Sequence, residues 1–348
     1  LGWRKSHEKT EENSETYPSH ALLYGGTSVG FIEEAVGGAR SKECEVNEPL
    51  LLIDTPYLCH RSWHVMKNLS FGDRGTGAIF GVLRDIVSLQ DTFKTTRCVF
   101  AFDLGRSRRA GILPTYKTSR YAHHAEESDE EKAARSDFQE QIKHLRERHL
   151  PDAGFRNVFA AEGFEADDII AQFSAALPRE DEAIIISSDQ DLWQCLRPNV
   201  WIWNLHTQKT YTLKHFRIQW GLEPKQWAYV KAYAGYGTDD IPGISGIGEV
   251  TAAKYLRGDL GCETKAYAKL STSSELWKRN IGLVRLPFVG TPKFAIQPDE
   301  VTEEKWCALA DSLGMPSIRD TVPRVATDKK SKGRKRNGFG FNHNADAG

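Results

Sequence analysis

The residues best placed to do chemistry are acids that recur just after strongly apolar runs. Asp54 follows Leu50-Leu51-Leu52-Ile53, and Asp103 follows Cys98-Val99-Phe100-Ala101-Phe102. Asp189 and Asp191 follow Ala183-Ile184-Ile185-Ile186 through Ser187-Ser188. Glu165, Asp167 and Asp168 cluster in FEADDII at the start of a helical pattern, and Asp239 and Asp240 lie in the glycine-rich GYGTDDIPGISGIG. Taken singly, each has a bland explanation. Acids in a first helical turn offset the macrodipole, and Asp189 suits an N-cap for a helix opening near Leu192. Taken together on neighbouring strands, five or more carboxylates would share one sheet edge. They would repel and raise one another's pKa unless cations neutralised them. Hard oxygen donors without His or Cys select Mg²⁺ or Mn²⁺ over zinc. Two such ions roughly 4 Å apart are the usual apparatus for phosphodiester hydrolysis.

The elements that must carry these acids follow from the same apolar runs. Unbroken runs of this length suit strands buried on both faces, as in a parallel sheet covered by helices. Helical patterns over Ile79–Leu89 and Glu165–Leu177 alternate with them, which predicts an α/β core with a central, mostly parallel sheet. In such sheets, sites form beyond the carboxyl ends of the strands, where these aspartates fall. Residues 117–150 are heavily charged and, on composition alone, read as a solvated helix with i,i+4 ion pairs. From about 206 the pattern is predominantly helical, ending with Val301–Leu313. Residues 1–48 read as a flexible leader and the last stretch, TDKKSKGRKRNGFGFNHNADAG, as a disordered tail. No internal repeat is present.

Two further elements carry basic or phosphate-binding chemistry. Pro242-Gly243-Ile244-Ser245-Gly246-Ile247-Gly248 reads as a turn opening a helix over Glu249–Lys254. Glycines there let backbone approach a phosphate, and free N–H groups at a helix start bind anions. Ile244 and Ile247 supply anchors and Lys254 a cation, the pattern of a helix-hairpin-helix clamp on a DNA backbone, with Gly243, Ser245, Gly246 and Gly248 at the contact. Arg106, Arg108, Arg109, Lys117 and Arg120 follow Asp103 closely, which favours contacts to a substrate phosphate over a merely solvated loop. Tyr116 joins the same surface.

Composition bounds the rest. The chain has 348 residues, 40% hydrophobic and 27% charged, the profile of a globular protein of about two domains. No run of 18 or more apolar residues occurs, which excludes a single membrane-spanning helix of the usual kind. The first twenty residues are too polar for a secretory core, and Leu1 implies a start that is missing or processed. Six scattered cysteines without a C-x-x-C pair suit a reduced, cytoplasmic chain without structural zinc. The net charge of −1, taken alone, argues against a nucleic-acid partner.

The motifs LLIDTPYLCHRSWH, VFAFDLGRSRRAGILPTYKTSR, FEADDIIAQF, IISSDQDLWQ and GTDDIPGISGIGEVTAAKYL resemble, in order, those of the flap endonuclease/5′→3′ exonuclease family. The resemblance spans about residues 49–260. It implies a PIN-like nuclease core over 49–205, with the charged stretch 117–150 as a helical arch passing a single-stranded 5′ end. It implies a helical DNA-binding subdomain over 206–320 with its hairpin at 231–257, then a basic tail over 321–348. Position by position, it makes Asp54, Asp103, Glu165, Asp167, Asp168, Asp189, Asp191 and Asp239 direct or water-mediated ligands of two Mg²⁺ or Mn²⁺ ions. Lys117 becomes the lysine at the scissile phosphate, Arg120 the arginine at the arch base, and Arg61 a basic residue after the first aspartate. The hairpin would hold duplex DNA, with K⁺ bound there in many members. Two departures stand out: Tyr236 replaces an aspartate that bears on the second ion, for which Asp240 could stand in, and Thr55-Pro56 replaces a small dipeptide. The activity implied is a monomeric, metal-dependent nuclease acting on DNA 5′ flaps or 5′ ends in replication or repair. A branched-DNA-binding protein without catalysis and a related metal-dependent ribonuclease are the alternatives. Setting aside the eight proposed ligands moves the net charge from −1 to about +7, and seven Lys or Arg between 324 and 336 face a single acid, Asp328. The near-zero charge is then a cancellation, compatible with DNA after all.

Overall fold

The computed structural model describes residues 47–325, so most of the expected leader and tail lies outside the described residues. Strands form at Leu50–Asp54 (β1), Ser70–Phe71 (β2), Arg74–Gly75 (β3), Cys98–Ala101 (β4), Val158–Phe159 (β5), Ala183–Ile186 (β6), Val200–Asn204 (β7) and Lys209–Tyr211 (β8). Six of them make one sheet in the order β5-β4-β1-β6-β7-β8. All its pairings are parallel except β7 with β8. The three apolar runs are thus central neighbours. Their side chains alternate between two cores, as the period-2 pleat requires. Leu50, Leu52, Val99, Ala101, Ala183 and Ile185 enter one core, and Leu51, Ile53, Cys98, Phe100, Ile184 and Ile186 the other.

The first face is covered by the helix Ala166–Ala176 and also by Trp227, Val230, Ile244 and Ile247, so the hairpin region shares a core with the sheet. The second is covered by the helices Thr55–Met66, Gly77–Phe93 and Glu303–Ser312. The region after 206, expected to be helical, first returns to the sheet as β8. From β1 the chain builds outward through β4 and β5, then crosses to the other side of β1 with β6 and β7. That reversal makes a crevice at the carboxyl ends of β1 and β6, the usual ligand position in an open α/β sheet.

The charged stretch holds two α-helices, Thr118–Ala125 and Asp129–His144, the second opened by a reciprocal Ser128–Glu131 capping box and continued by a π-helical turn over Leu145–His149. Only Phe138 and Gln141 of the second are buried. The Phe138 ring lies 5.1 Å from that of Trp63, and Gln141 Oε1 accepts from Ala78 N–H at 2.9 Å, capping the helix Gly77–Phe93. At the described ends, Glu48 accepts from Thr96 N–H at 2.7 Å just before β4, and Arg324 Nε pairs with Asp91 of the helix Gly77–Phe93 at 3.1 Å. Cys59, Cys98, Cys195, Cys262 and Cys307 are all free thiols.

Candidate active site

β1 passes without a loop into the helix Thr55–Met66, with Asp54 as its N-cap and Pro56 in the first turn. The Thr55-Pro56 departure is therefore accommodated by geometry that suits proline. Asp54 accepts from Tyr57 N–H at 3.1 Å and from the Ser187 hydroxyl at 2.7 Å. Ser187, buried after β6, also accepts from Asp189 N–H at 3.1 Å and so ties the two strand ends together. Asp103 accepts from Ala166 N–H at 2.7 Å, capping the helix that presents Asp167. Asp189 in turn accepts from Asp191 N–H at 2.8 Å. A cleft opens here, lined by Glu165, Asp167, Asp189, Asp191 and Asp239 together with Lys117, Arg120 and Tyr236.

The acids divide into two groups. Among the described residues, ion pairs reach Glu165, Asp168, Asp191 and Asp239, and none reaches Asp54, Asp103, Asp167 or Asp189. Burial, reinforced by Asp103 and Asp189, pushes the Asp54 carboxyl up to about 7. Burial and then Asp189 push Asp191 up to about 7 and Asp167 well above its ordinary value. Between the ordinary 3.8 and about 7, the folded chain keeps protons at Asp54 and Asp191 that the unfolded chain has lost. The stability of the protein in EDTA is therefore expected to fall as pH rises from about 5 to about 7, the reverse of a salt-bridged carboxylate. Denaturant titrations across that range check it. Asp54→Asn should flatten the slope, and a stability that climbs with pH in the parent would refute the expectation.

Several expected roles change. Asp168, expected as a ligand, is fully buried and holds Arg109 in two contacts of 2.8 and 2.7 Å. It also accepts from the N–H groups of Glu165 at 3.1 Å and Phe288 at 2.9 Å, so its oxygens are already engaged. Arg109, expected on the DNA surface, is 3% exposed and donates to the Leu283 carbonyl at 2.7 Å. Tyr116, expected there too, is buried with its hydroxyl 3.1 Å from both Glu165 and Asp239. Arg61 pairs with Asp85 at 2.8 Å and does not line the cleft. Asp240, the possible substitute for Tyr236, turns away and accepts from Ser119 N–H at 2.7 Å at the foot of the helix Thr118–Ala125.

Lys117 and Arg120 do face the cleft. Lys117 Nζ is 2.9 Å from Glu165 and 3.7 Å from Asp239, and Arg120 is 2.7 Å from Asp239. Burial opposes ionisation at Glu165, but Lys117 and Arg109 outweigh it and hold its carboxyl below the ordinary value. Lys117 has a left-handed backbone with φ of 56°, fixed by its N–H donating to the Asp239 carbonyl at 3.0 Å. A non-glycine residue held in that region stores strain of about 1 kcal/mol or more, and such strain concentrates at functional sites. Arg106 and Arg108 are exposed, with Arg108 stacked 4.6 Å over the Phe164 ring.

The hairpin has the expected form. The helices Trp227–Ala234 and Glu249–Arg257 flank a turn anchored by buried Ile244 and Ile247. A Cβ on Gly243 would run into the Ala234 carbonyl, and Gly246 has φ of 78°. Gly248 is the N-cap of the second helix, and Ser245, Gly246, Gly248 and Lys254 are exposed. The Ser245 carbonyl accepts from Lys269 Nζ at 2.8 Å, so an ammonium already sits against the turn where K⁺ was expected. Sequence reasoning missed two buried supports. Asn280 donates to the carbonyls of Ala232 and Pro242, both at 2.9 Å, and Lys231 reaches Glu249 at 2.8 Å. A lone lysine in WAYVKAYA was the available signal for the second.

The donor set suits a divalent cation. Its atoms are hard oxygens, and among the described residues no ion pair reaches Asp54, Asp103, Asp167 or Asp189. Among the described residues no three such side chains already enclose one point, so binding would draw them inward. Residues 49–221 match a family described as "5'-3' exonuclease, N-terminal resolvase-like domain". The chain is 30% identical over 224 residues to a Bacillus subtilis 5'-3' exonuclease, covering 61% of this chain and 70% of that one. A Mycoplasmopsis pulmonis 5'-3' exonuclease is 30% identical over 244 residues, 68% of this chain and 75% of its own. Bacillus subtilis DNA polymerase I matches at 30% as well, but over only 23% of its length. Among solved structures, the zinc-bound 5'-exonuclease of bacteriophage T5 superposes with a TM-score of 0.59 at 24% identity, covering 78% of this chain and 99% of that one, a likeness of fold. By profile and by relatives covered over most of their length, this chain belongs to the 5'-3' exonuclease family.

Proposed function

We propose that the chain is a structure-specific 5′ nuclease that hydrolyses DNA phosphodiesters at 5′ flaps or 5′ ends with bound Mg²⁺ or Mn²⁺. The observation that carries this is the uncompensated group Asp54, Asp103, Asp167 and Asp189 at the sheet's switch point, beside Lys117 and Arg120. The names of the relatives support the same reaction class. A divalent cation held by these acids would supply an activated water and a counter-charge for the departing oxygen.

The chain's own residues do the rest. Lys117 and Arg120 exchange Glu165 and Asp239 for the scissile phosphate and stabilise its developing charge. Arg109, through Asp168, fixes the helix that presents Asp167. Arg106, Arg108, Lys254 and the exposed backbone of Gly246 and Gly248 contact DNA phosphates, with Lys269 supplying the cation at the turn. In this reading 49–205 is the nuclease core, 117–150 the arch and 206–320 the DNA-binding part. A 5′-labelled flap duplex with Mg²⁺ or Mn²⁺ should be cut near its junction, and EDTA should abolish cutting. Folded protein that cleaves with neither ion would overturn the proposal. Tyr236 favours one rival, a branched-DNA binder without catalysis, which would bind the flap equally well in EDTA and leave it intact.

A further inference from the structure

The helix Trp227–Ala234 carries a single charged residue, Lys231, and buries it to 1% exposure. Its ammonium lies 2.8 Å from Glu249 and 3.7 Å from Asp191 Oδ1, the buried oxygen that has no hydrogen-bond partner. It also stands 4.2 Å over the ring of Tyr236, which lines the cleft. The neighbouring acid on this side, Asp239, is engaged by Arg120 at 2.7 Å, by Tyr116 at 3.1 Å and by Lys117 at 3.7 Å. On this flank Asp191 and Tyr236 already face a fixed ammonium, and Asp239 is paired with Arg120 and Lys117 until substrate draws those two away. The opposite flank, with Asp54, Asp103, Asp167 and Asp189, has no ion-pair partner among the described residues.

A divalent cation approaching Asp191 would meet a buried, immobile ammonium sharing the same carboxylate, and its double charge doubles the repulsion. Lys231 cannot swing away, because the core encloses its stem and Glu249 holds its tip. Tyr236 offers an aromatic face there in place of a hard oxygen, and a ring over a cation suits Lys231 better than a hydrated metal. We propose that Lys231 is a positioning residue that occupies the place of a second divalent ion, so that the acidic centre takes one such ion, on the flank of Asp54, Asp103, Asp167 and Asp189. The inference rests on the proposed function in treating the centre as a metal site. It also ties the site to the clamp, since Glu249 opens the second hairpin helix.

Counting bound Mn²⁺ on the full chain, by isothermal titration calorimetry and by electron paramagnetic resonance of the free ion, tests this without any activity readout. The parent should bind one ion per chain. Tyr236→Asp should still bind one, because Lys231 would pair with the new carboxylate. Tyr236→Asp combined with Lys231→Met should bind two. A parent that takes two ions of comparable affinity overturns the proposal, as does a folded double variant that gains none. Should circular dichroism show the double variant unfolded, the counts on the parent and on Tyr236→Asp decide alone. A parent that binds no Mn²⁺ fails differently, since it removes the metal reading of the whole centre.

Discussion

Asp189→Asn should lower flap cleavage by about 10³-fold while leaving the protein at least as stable as its parent. The loss follows from removing a hard anionic donor on the flank that no ion pair reaches among the described residues. Several kcal/mol of metal-borne transition-state stabilisation is at stake, with each 1.36 kcal/mol worth about tenfold in rate. The stability half follows from the same crowding. Asp189 is among the charges that raise Asp54, Asp167 and Asp191, and the amide oxygen of asparagine can still accept from Asp191 N–H. Single-turnover cleavage and a thermal melt in EDTA measure both. A variant retaining more than about a tenth of parental cleavage would remove Asp189 from the catalytic set.

Arg109→Met has the largest expected effect on folding, a loss of about 3–5 kcal/mol, because it strands Asp168 as a buried, unpaired carboxylate. For a domain of this size that corresponds to a fall in Tm on the order of 10 °C. The guanidinium also closes a three-way junction. It joins the Arg108–Gly111 turn to Asp168, to the Leu283 carbonyl and to the ring of Phe288, 4.8 Å away. Replacing both partners, as in Arg109→Met with Asp168→Leu, should recover much of the loss, since no lone charge then remains. If the single variant melts within a degree or two of the parent, the pair is not the buried junction its geometry describes.

The central strands were legible because β1, β4 and β6 are buried on both faces, and such burial demands unbroken apolar runs. β5 has only two half-buried residues and leaves no period to read, and β8 is an exposed edge of three. Asp54, Asp103, Asp189 and Asp191 were legible as a group because they follow runs that end at the same edge. What each one does was not. Arg109 and Asp168 are 59 positions apart, and only the packing of the helix Ala166–Ala176 against the Arg108–Gly111 turn makes them partners. A spacing argument placed Arg109 with its exposed neighbours, whereas one 3₁₀ turn rotates it inward. Likewise Asp239 and Asp240 are adjacent in sequence but face opposite ways, because Asp240 takes a left-handed backbone with φ of 56°.

That divergence of two adjacent aspartates has a metric consequence. Asp239 braces Lys117 and Arg120 while Asp240 holds the first turn of the helix Thr118–Ala125. The Tyr236–Ile241 pairing closes the same short segment on itself, and Pro242 leads from it directly into the hairpin turn. The strut that would receive a 5′ strand and the clamp that would grip the duplex thus grow from one short joint. On the proposed function the fold is a ruler, and the distance from duplex to cut is set by this joint rather than by the length of the flap. Mapping the cut to the nucleotide over a series of flap lengths reads that ruler directly, and a cut that drifts with flap length would show the joint to be loose.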